Sequence, residues 1–209
     1  MKKKLTLVVS LLLVMALSIG GTLAYLTYTT EAITNTFSIG NIELTLKEMI
    51  KNADGTEVEA TTAEQKSFTV VPGGSDAKKP IITVKAKSEA CWLYAYVENN
   101  VLVAVGGTQT PVATLDIGSD WIVVAQNADK TKTLYRYTND AVATSDADQP
   151  FTVFTTVSYD GAKITKDNRA DITSADTIVV NAFAHQSANV EKAVADATAK
   201  TQFGFTTNP

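Results

Sequence analysis

The stretch ACWLYAYV, residues 90–97, constrains the fold more than any other part of the chain. Side chains on a strand alternate between its two faces. Trp92, Tyr94 and Tyr96 then share one face, and Cys91, Leu93, Ala95 and Val97 share the other. Both faces are apolar. Such a strand is stable inside a sandwich, or where something else covers its outer face. Similar short runs recur along the chain. NIELTLK, residues 41–47, alternates strictly, with Ile42, Leu44 and Leu46 on one side. NADG, residues 52–55, then predicts a hairpin turn. Further strands are expected at 67–71, ended by Pro72-Gly73-Gly74, and at 80–87, 121–126, 133–137, 151–158 and 177–185. Residues 99–118 read as a loop with one short strand at 101–105, and 140–150 as a second loop. Only residues 188–200 have a helical period, with Val190, Ala193, Val194 and Ala197 at i, i+3, i+4 and i+7 and Ser187 or Asn189 as cap. About eight or nine short strands and one helix predict an all-β fold, a jelly-roll-like antiparallel β-sandwich with one short helix near the C-terminus.

The N-terminus follows different rules. Lys2, Lys3 and Lys4 precede LTLVVSLLLVMALSIG, and small residues lead to Thr22-Leu23-Ala24. That is the charged region, apolar core and small-residue cut site of a secretory signal peptide. The apolar run falls short of the ~20 residues that span a bilayer as a helix. The chain therefore divides into a signal-peptide helix at residues 1–24, an N-terminal segment at 25–36 and a sandwich domain at 37–209. Cleavage between Ala24 and Tyr25 would make the protein secreted and extracellular, held at the membrane only before the cut.

Removal of residues 1–24 leaves 15 basic and 22 acidic side chains, a net charge of −7. Nucleic acid is a poor partner for such a chain, because its phosphates need cations. The single cysteine, Cys91, forms no intramolecular disulfide, and its place in an apolar strand suits a buried thiol. His185 is the single histidine, and no HExxH or other metal-ligand spacing accompanies it. Asp54, Glu57 and Glu59 cluster, as do Asp146 and Asp148, without the spacing of a calcium loop. GGT at Gly106 and PGGS at Pro72 lack the spacing of a phosphate loop. No catalytic residue, cofactor or metal site follows from these patterns, so an enzyme is not expected, and function has to come from surfaces.

GGTLAYLTYTTEAITNTFSIGNIELTL, residues 20–46, resembles the N-terminus of exported Gram-positive proteins cut by a SipW-type signal peptidase, a group that includes the TasA/camelysin family. The likeness rests on Thr22-Leu23-Ala24-Tyr25-Leu26 as cut region, on Asn35-Thr36-Phe37-Ser38-Ile39-Gly40, and on the strand that follows. Val71-Pro72-Gly73-Gly74, residues 90–97 and the closing strand IVVNAFAHQ, residues 178–186, are similar to the family's later segments. Tyr28 stands where an acidic residue is common in this signal class. The resemblance implies a jelly roll, a SipW-type signal peptidase as processing partner, and self-assembly into homopolymeric fibres of the biofilm matrix. It also implies strand donation from one subunit to the next. Residues 25–33, with Tyr25, Leu26, Tyr28 and Ile33, have the aromatic and β-branched composition that suits a donated strand. A mobile tail is the plainer alternative for the same segment. Camelysins have been classed as metallopeptidases, an activity for which one histidine offers little support. A secreted binding module, an adhesin or a carbohydrate-binding jelly roll, is the competing expectation, with Trp121, Tyr135 and Tyr137 as aromatic candidates.

Overall fold

A computed structural model describes residues 28–29, 36–39, 42–52, 54–67, 69–173 and 176–205. The signal peptide, the Ala24–Tyr25 cut site, Leu26 and Ile33 lie outside the described residues. Among the described residues fifteen strands run in the order β1 (Tyr28–Thr29), β2 (Thr36–Ile39), β3 (Ile42–Lys51), β4 (Glu57–Glu59), β5 (Ser75–Ala77), β6 (Lys79–Val84), β7 (Cys91–Asn99), β8 (Leu102–Val105), β9 (Thr108–Pro111), β10 (Ala113–Leu115), β11 (Trp121–Gln126), β12 (Lys132–Tyr137), β13 (Gln149–Thr152), β14 (Thr156–Tyr159) and β15 (Ile178–Gln186). Among the described residues the α-helices are a single turn, α1 (Ala63–Lys66), and α2 (Lys192–Gln202), with a short 3-10 helix at Arg169–Asp171. The protein is a jelly-roll-like antiparallel β-sandwich with a short C-terminal helix. Among the described residues no helix is long and apolar enough to cross a membrane.

Sheet I has the order β1-β15-β7-β12-β11. Sheet II has the order β13-β6-β3-β2, with β4 on the end of β3, and sheet III the order β10-β14-β5. A hairpin of β8 and β9 stands apart, turned by Gly106 and Gly107 at φ 58° and 84°. Two successive left-handed residues make the turn whose twist matches an antiparallel hairpin, and glycine adopts that geometry without a Cβ clash.

The main core forms where the alternating apolar faces of the three sheets meet. Leu44, Leu46, Ile82 and Val84 of sheet II and Val157 and Tyr159 of sheet III close on Leu93, Ala95, Val97, Val180 and Ala182 of sheet I. Cys91 belongs to this core, fully buried. The opposite face of β7 is apolar as its sequence requires, and α2 covers it. Tyr94, Tyr96, Leu134 and Phe183 pack with Ala195 and Ala199 in a second core on the outside of sheet I.

Three sequence expectations need correction. Residues 69–71 form no strand: Val71 is 56% exposed, and the place beside β14 is taken by β5. The run 151–158 is two strands in different sheets. Between them Val153 and Phe154 stay buried while Asp116 accepts hydrogen bonds from the Thr155 and Thr156 amides, both at 2.7 Å, and turns the chain from sheet II to sheet III. The apolar run is unbroken because both strands feed one core. Finally, α2 begins at Lys192 with Glu191 as an N-cap that makes no side-chain capping bond, and Asn189 precedes it at φ 57°.

Candidate functional site

The feature with most bearing on function is the edge of sheet I at β15. β7 pairs with β15 on one side along nine residues, from Ile178↔Asn99 to Gln186↔Cys91. On the other side, among the described residues, β1 pairs with it through Tyr28↔Ala184 and Thr29↔Phe183. β15 carries alternating apolar residues toward both cores: Val180, Ala182 and Ala184 toward the interior, and Phe183 toward α2. The buried faces fix its register, because a slip of one residue would exchange them. The side of β15 away from β7 carries main-chain donors and acceptors that pair with extended segments, β1 among them. Of the expected donor residues, Tyr28 is the one within the described residues, and it lies on this edge. The chain then crosses to sheet II, where β2 pairs with β3 from Thr36↔Thr45 to Ile39↔Ile42. The segment preceding the sandwich thus supplies an edge strand to one layer and leads into an edge strand of the other.

The opposite edge of sheet I differs. β11 pairs with β12 in two registers, Trp121↔Tyr137 to Val123↔Tyr135 and then Ala125↔Leu134 to Gln126↔Thr133, with a bulge between them. A bulge bends the strand and interrupts the regular row of edge groups.

The three aromatic candidates have separate fates. Trp121 is buried and its indole N–H donates to the Thr152 carbonyl at 2.7 Å. Tyr137 packs edge-on between Trp121 and Phe151, with centroids 5.3 and 4.6 Å away. Tyr135 alone lines an open cleft, together with residues of β7, β10 and the β11–β12 turn. Sequence position could not separate the three, since all stand on one face of paired strands.

His185 is buried on β15, its Nδ1 2.9 Å from the Gln186 carbonyl and its ring edge-on to Phe183. Cys91 lies in the main core, where burial pushes its thiol up to about 12. The acidic clusters are structural. Asp54 accepts the Thr56 amide in the β3–β4 turn, and Glu57 and Glu59 pair with Lys79 and Lys47 at 2.8 and 2.7 Å. Asp148 pairs with Lys85 and accepts the Ala86 amide at 2.9 Å. Among the described residues no group of three or more His, Cys, Asp or Glu side chains could hold a metal ion.

A buried polar arrangement that the sequence did not announce links sheet I to α2. Arg136 Nη1 donates to both Asp196 oxygens, at 2.7 Å to Oδ1 and 2.5 Å to Oδ2, and Tyr94 donates its hydroxyl to Asp196 Oδ1 at 2.8 Å. Burial and the Asp196 carboxylate together hold the Tyr94 phenol well above its usual range. Comparison with family models, with curated proteins and with solved structures gives no match.

Proposed function

We propose that this chain is a secreted structural protein, the subunit of an extracellular fibre of the biofilm-matrix type, assembled after a SipW-type signal peptidase cuts between Ala24 and Tyr25. The N-terminal likeness to the TasA/camelysin group motivates the reading. One observation supports it: among the described residues, the segment after the cut pairs with the β15 edge through the main chain of β1, at Tyr28↔Ala184 and Thr29↔Phe183. Main-chain pairing is indifferent to which copy of the chain supplies the strand. A neighbour's residues 25–36 can therefore occupy the edge and extend the pairing along it. Before the cut, the signal peptide tethers this segment to the membrane and keeps it from other subunits. His185, buried and bonded to the adjacent carbonyl, offers nothing to a peptidase mechanism.

Electron microscopy of the mature protein, residues 25–209, is expected to show filaments. Deletion of residues 25–36 should leave monomers of unchanged β content by circular dichroism, and excess synthetic peptide 25–36 should block filament growth. Filaments that persist without the segment, or monomers in both preparations, would sink the reading.

A further inference from the structure

Asn181 Oδ1 is buried and is, among the described residues, the one buried side-chain nitrogen or oxygen with no hydrogen-bond partner. A bare buried acceptor is costly, so a native protein that keeps one needs a reason. The surroundings within the subunit supply none. Asn181 pairs with Tyr96 between β15 and β7, and directly opposed residues share a face, so Asn181 stands on the α2 side of sheet I. That face is otherwise aromatic and aliphatic. Tyr96 stacks on Phe203 and meets Phe205 edge-on, and Phe183 follows two positions along β15. The Tyr96 hydroxyl is committed elsewhere, donating to Glu98 at 3.0 Å. A valine would suit both the packing and the strand.

Asn181 belongs to the strand that β1 borders. Thr29 pairs with Phe183, and strand faces alternate, so odd-numbered residues of a strand donated in this parity share the face of Asn181. They are Tyr25, Thr27, Thr29, Glu31 and Ile33. A neighbour's strand in the register of β1 would set Glu31 opposite Asn181. An ionised carboxylate only accepts, and it would leave Oδ1 bare. Moved by two residues, the strand sets Thr29 there, and a hydroxyl can donate. The same move brings Leu26 and Tyr28 opposite Ala184 and Ala182, the small residues of β15 on the main-core face. Pairing then runs from the new N-terminus, Tyr25 against His185, to Ala32 against Ile178. A further two-residue move brings Thr27 to Asn181 but leaves Ala184 to Gln186 beyond the start of the strand. One polar residue in an apolar seam is a known means of fixing alignment, because one register alone satisfies it.

We infer that Asn181 selects the register of the donated strand by accepting a hydrogen bond from Thr29 of a neighbouring copy, two residues out of step with the intrachain pairing of β1. The inference rests on the strand-donation reading, and it names the contact that sets a neighbour's segment apart from the chain's own.

Sedimentation of the mature protein, residues 25–209, over a range of concentrations tests it. Asn181→Val and Thr29→Val should each raise the concentration needed for filaments about tenfold, the worth of one buried hydrogen bond. The double variant should be no worse than either single one, and Thr29→Ser should assemble like the parent. Asn181→Val takes a bare acceptor out of the subunit, so the thermal midpoint of unassembled protein should stay level or rise. Cysteines read the register directly. Thr29→Cys chains mixed with Asn181→Cys chains should form disulfide-linked pairs in filaments, since opposed Cα atoms about 4.5–5.5 Å apart are within bridging range. Glu31→Cys chains mixed with Asn181→Cys chains should not. Cys91 is fully buried and takes no part. Filaments that vanish on deletion of residues 25–36 yet ignore Asn181→Val overturn the inference and leave strand donation standing. Cross-linking through Glu31→Cys in place of Thr29→Cys does the same, as does a lower midpoint for unassembled Asn181→Val protein. Absence of filaments from the parent mature protein overturns both readings.

Discussion

Asp196 accepts hydrogen bonds from two side chains that rise from the same sheet, Arg136 on β12 and Tyr94 on β7. The Arg136 side chain is only 6% exposed, so its charge depends on this partner. Removing one member of a buried pair leaves the other uncompensated, whereas replacing both with apolar residues is often near neutral. Asp196→Ala should therefore cost about 3 kcal/mol in urea unfolding. The double variant Arg136→Met/Asp196→Leu should recover most of that loss. Equal destabilisation by both variants would show that the charge pair is not what matters. Neither residue was legible as a partner of the other. They are 60 positions apart, on elements whose contact is set by tertiary packing. Cys91 was legible, because a lone thiol in a strand apolar on both faces has nowhere polar to go.

For the elements, the strands with strong alternation or long apolar runs were readable, and those that owe their state to neighbours were not. β9 and β10 fall in a polar, Gly- and Pro-containing segment, and they are strands because β8 and β14 offer them edges. The helix shows the same division. Its period was readable, but its buried face was not: Ala195 and Ala199 are buried, while Val194 is 56% exposed. The sheet beneath explains this. Tyr94, Tyr96 and Phe183 stand up from it and already fill the interface, so the helix can approach only through small residues. Phe203, just beyond the helix, then stacks on Tyr96 with centroids 4.6 Å apart. Ala199→Leu should destabilise by about 1–3 kcal/mol through overpacking, and Phe203→Ala by about 3 kcal/mol through the cavity left. Val194→Ala should lie within about 0.5 kcal/mol of the parent. Chemical denaturation measures all three. A large loss at Val194 would return the hydrophobic periodicity to its naive meaning.

On the scale of the whole molecule, alkaline pH is the condition to which the fold is most exposed. Burial raises the Cys91 thiol to about 12, and burial with a neighbouring carboxylate raises the Tyr94, Tyr96 and Tyr159 phenols. Each group loses its proton at lower pH in the unfolded chain than in the folded one. Stability from these groups is thus complete below the ordinary thiol value and falls as pH rises toward and beyond about 12. Unfolding midpoints should be flat from neutral pH to about 8 and then decline. The Cys91 thiol should react with a disulfide reagent far more slowly in the folded protein than in the urea-unfolded chain at the same pH; equal rates would contradict its burial.

At this scale the sandwich was legible from its strand pattern, whereas the pairing of Tyr28 with Ala184 and the cleft around Tyr135 were not, since each joins distant parts of the chain. The two sides of sheet I are unequal: next to β1, β15 pairs along its length with β7 without a register shift, whereas β11 is interrupted by a bulge. Any array that lengthens this sheet then has a head and a tail. Under the proposed strand donation, one end of such an array offers a free leading segment and the other an open β15 edge, and a subunit lacking residues 25–36 would accept a segment but offer none, ending growth at that end.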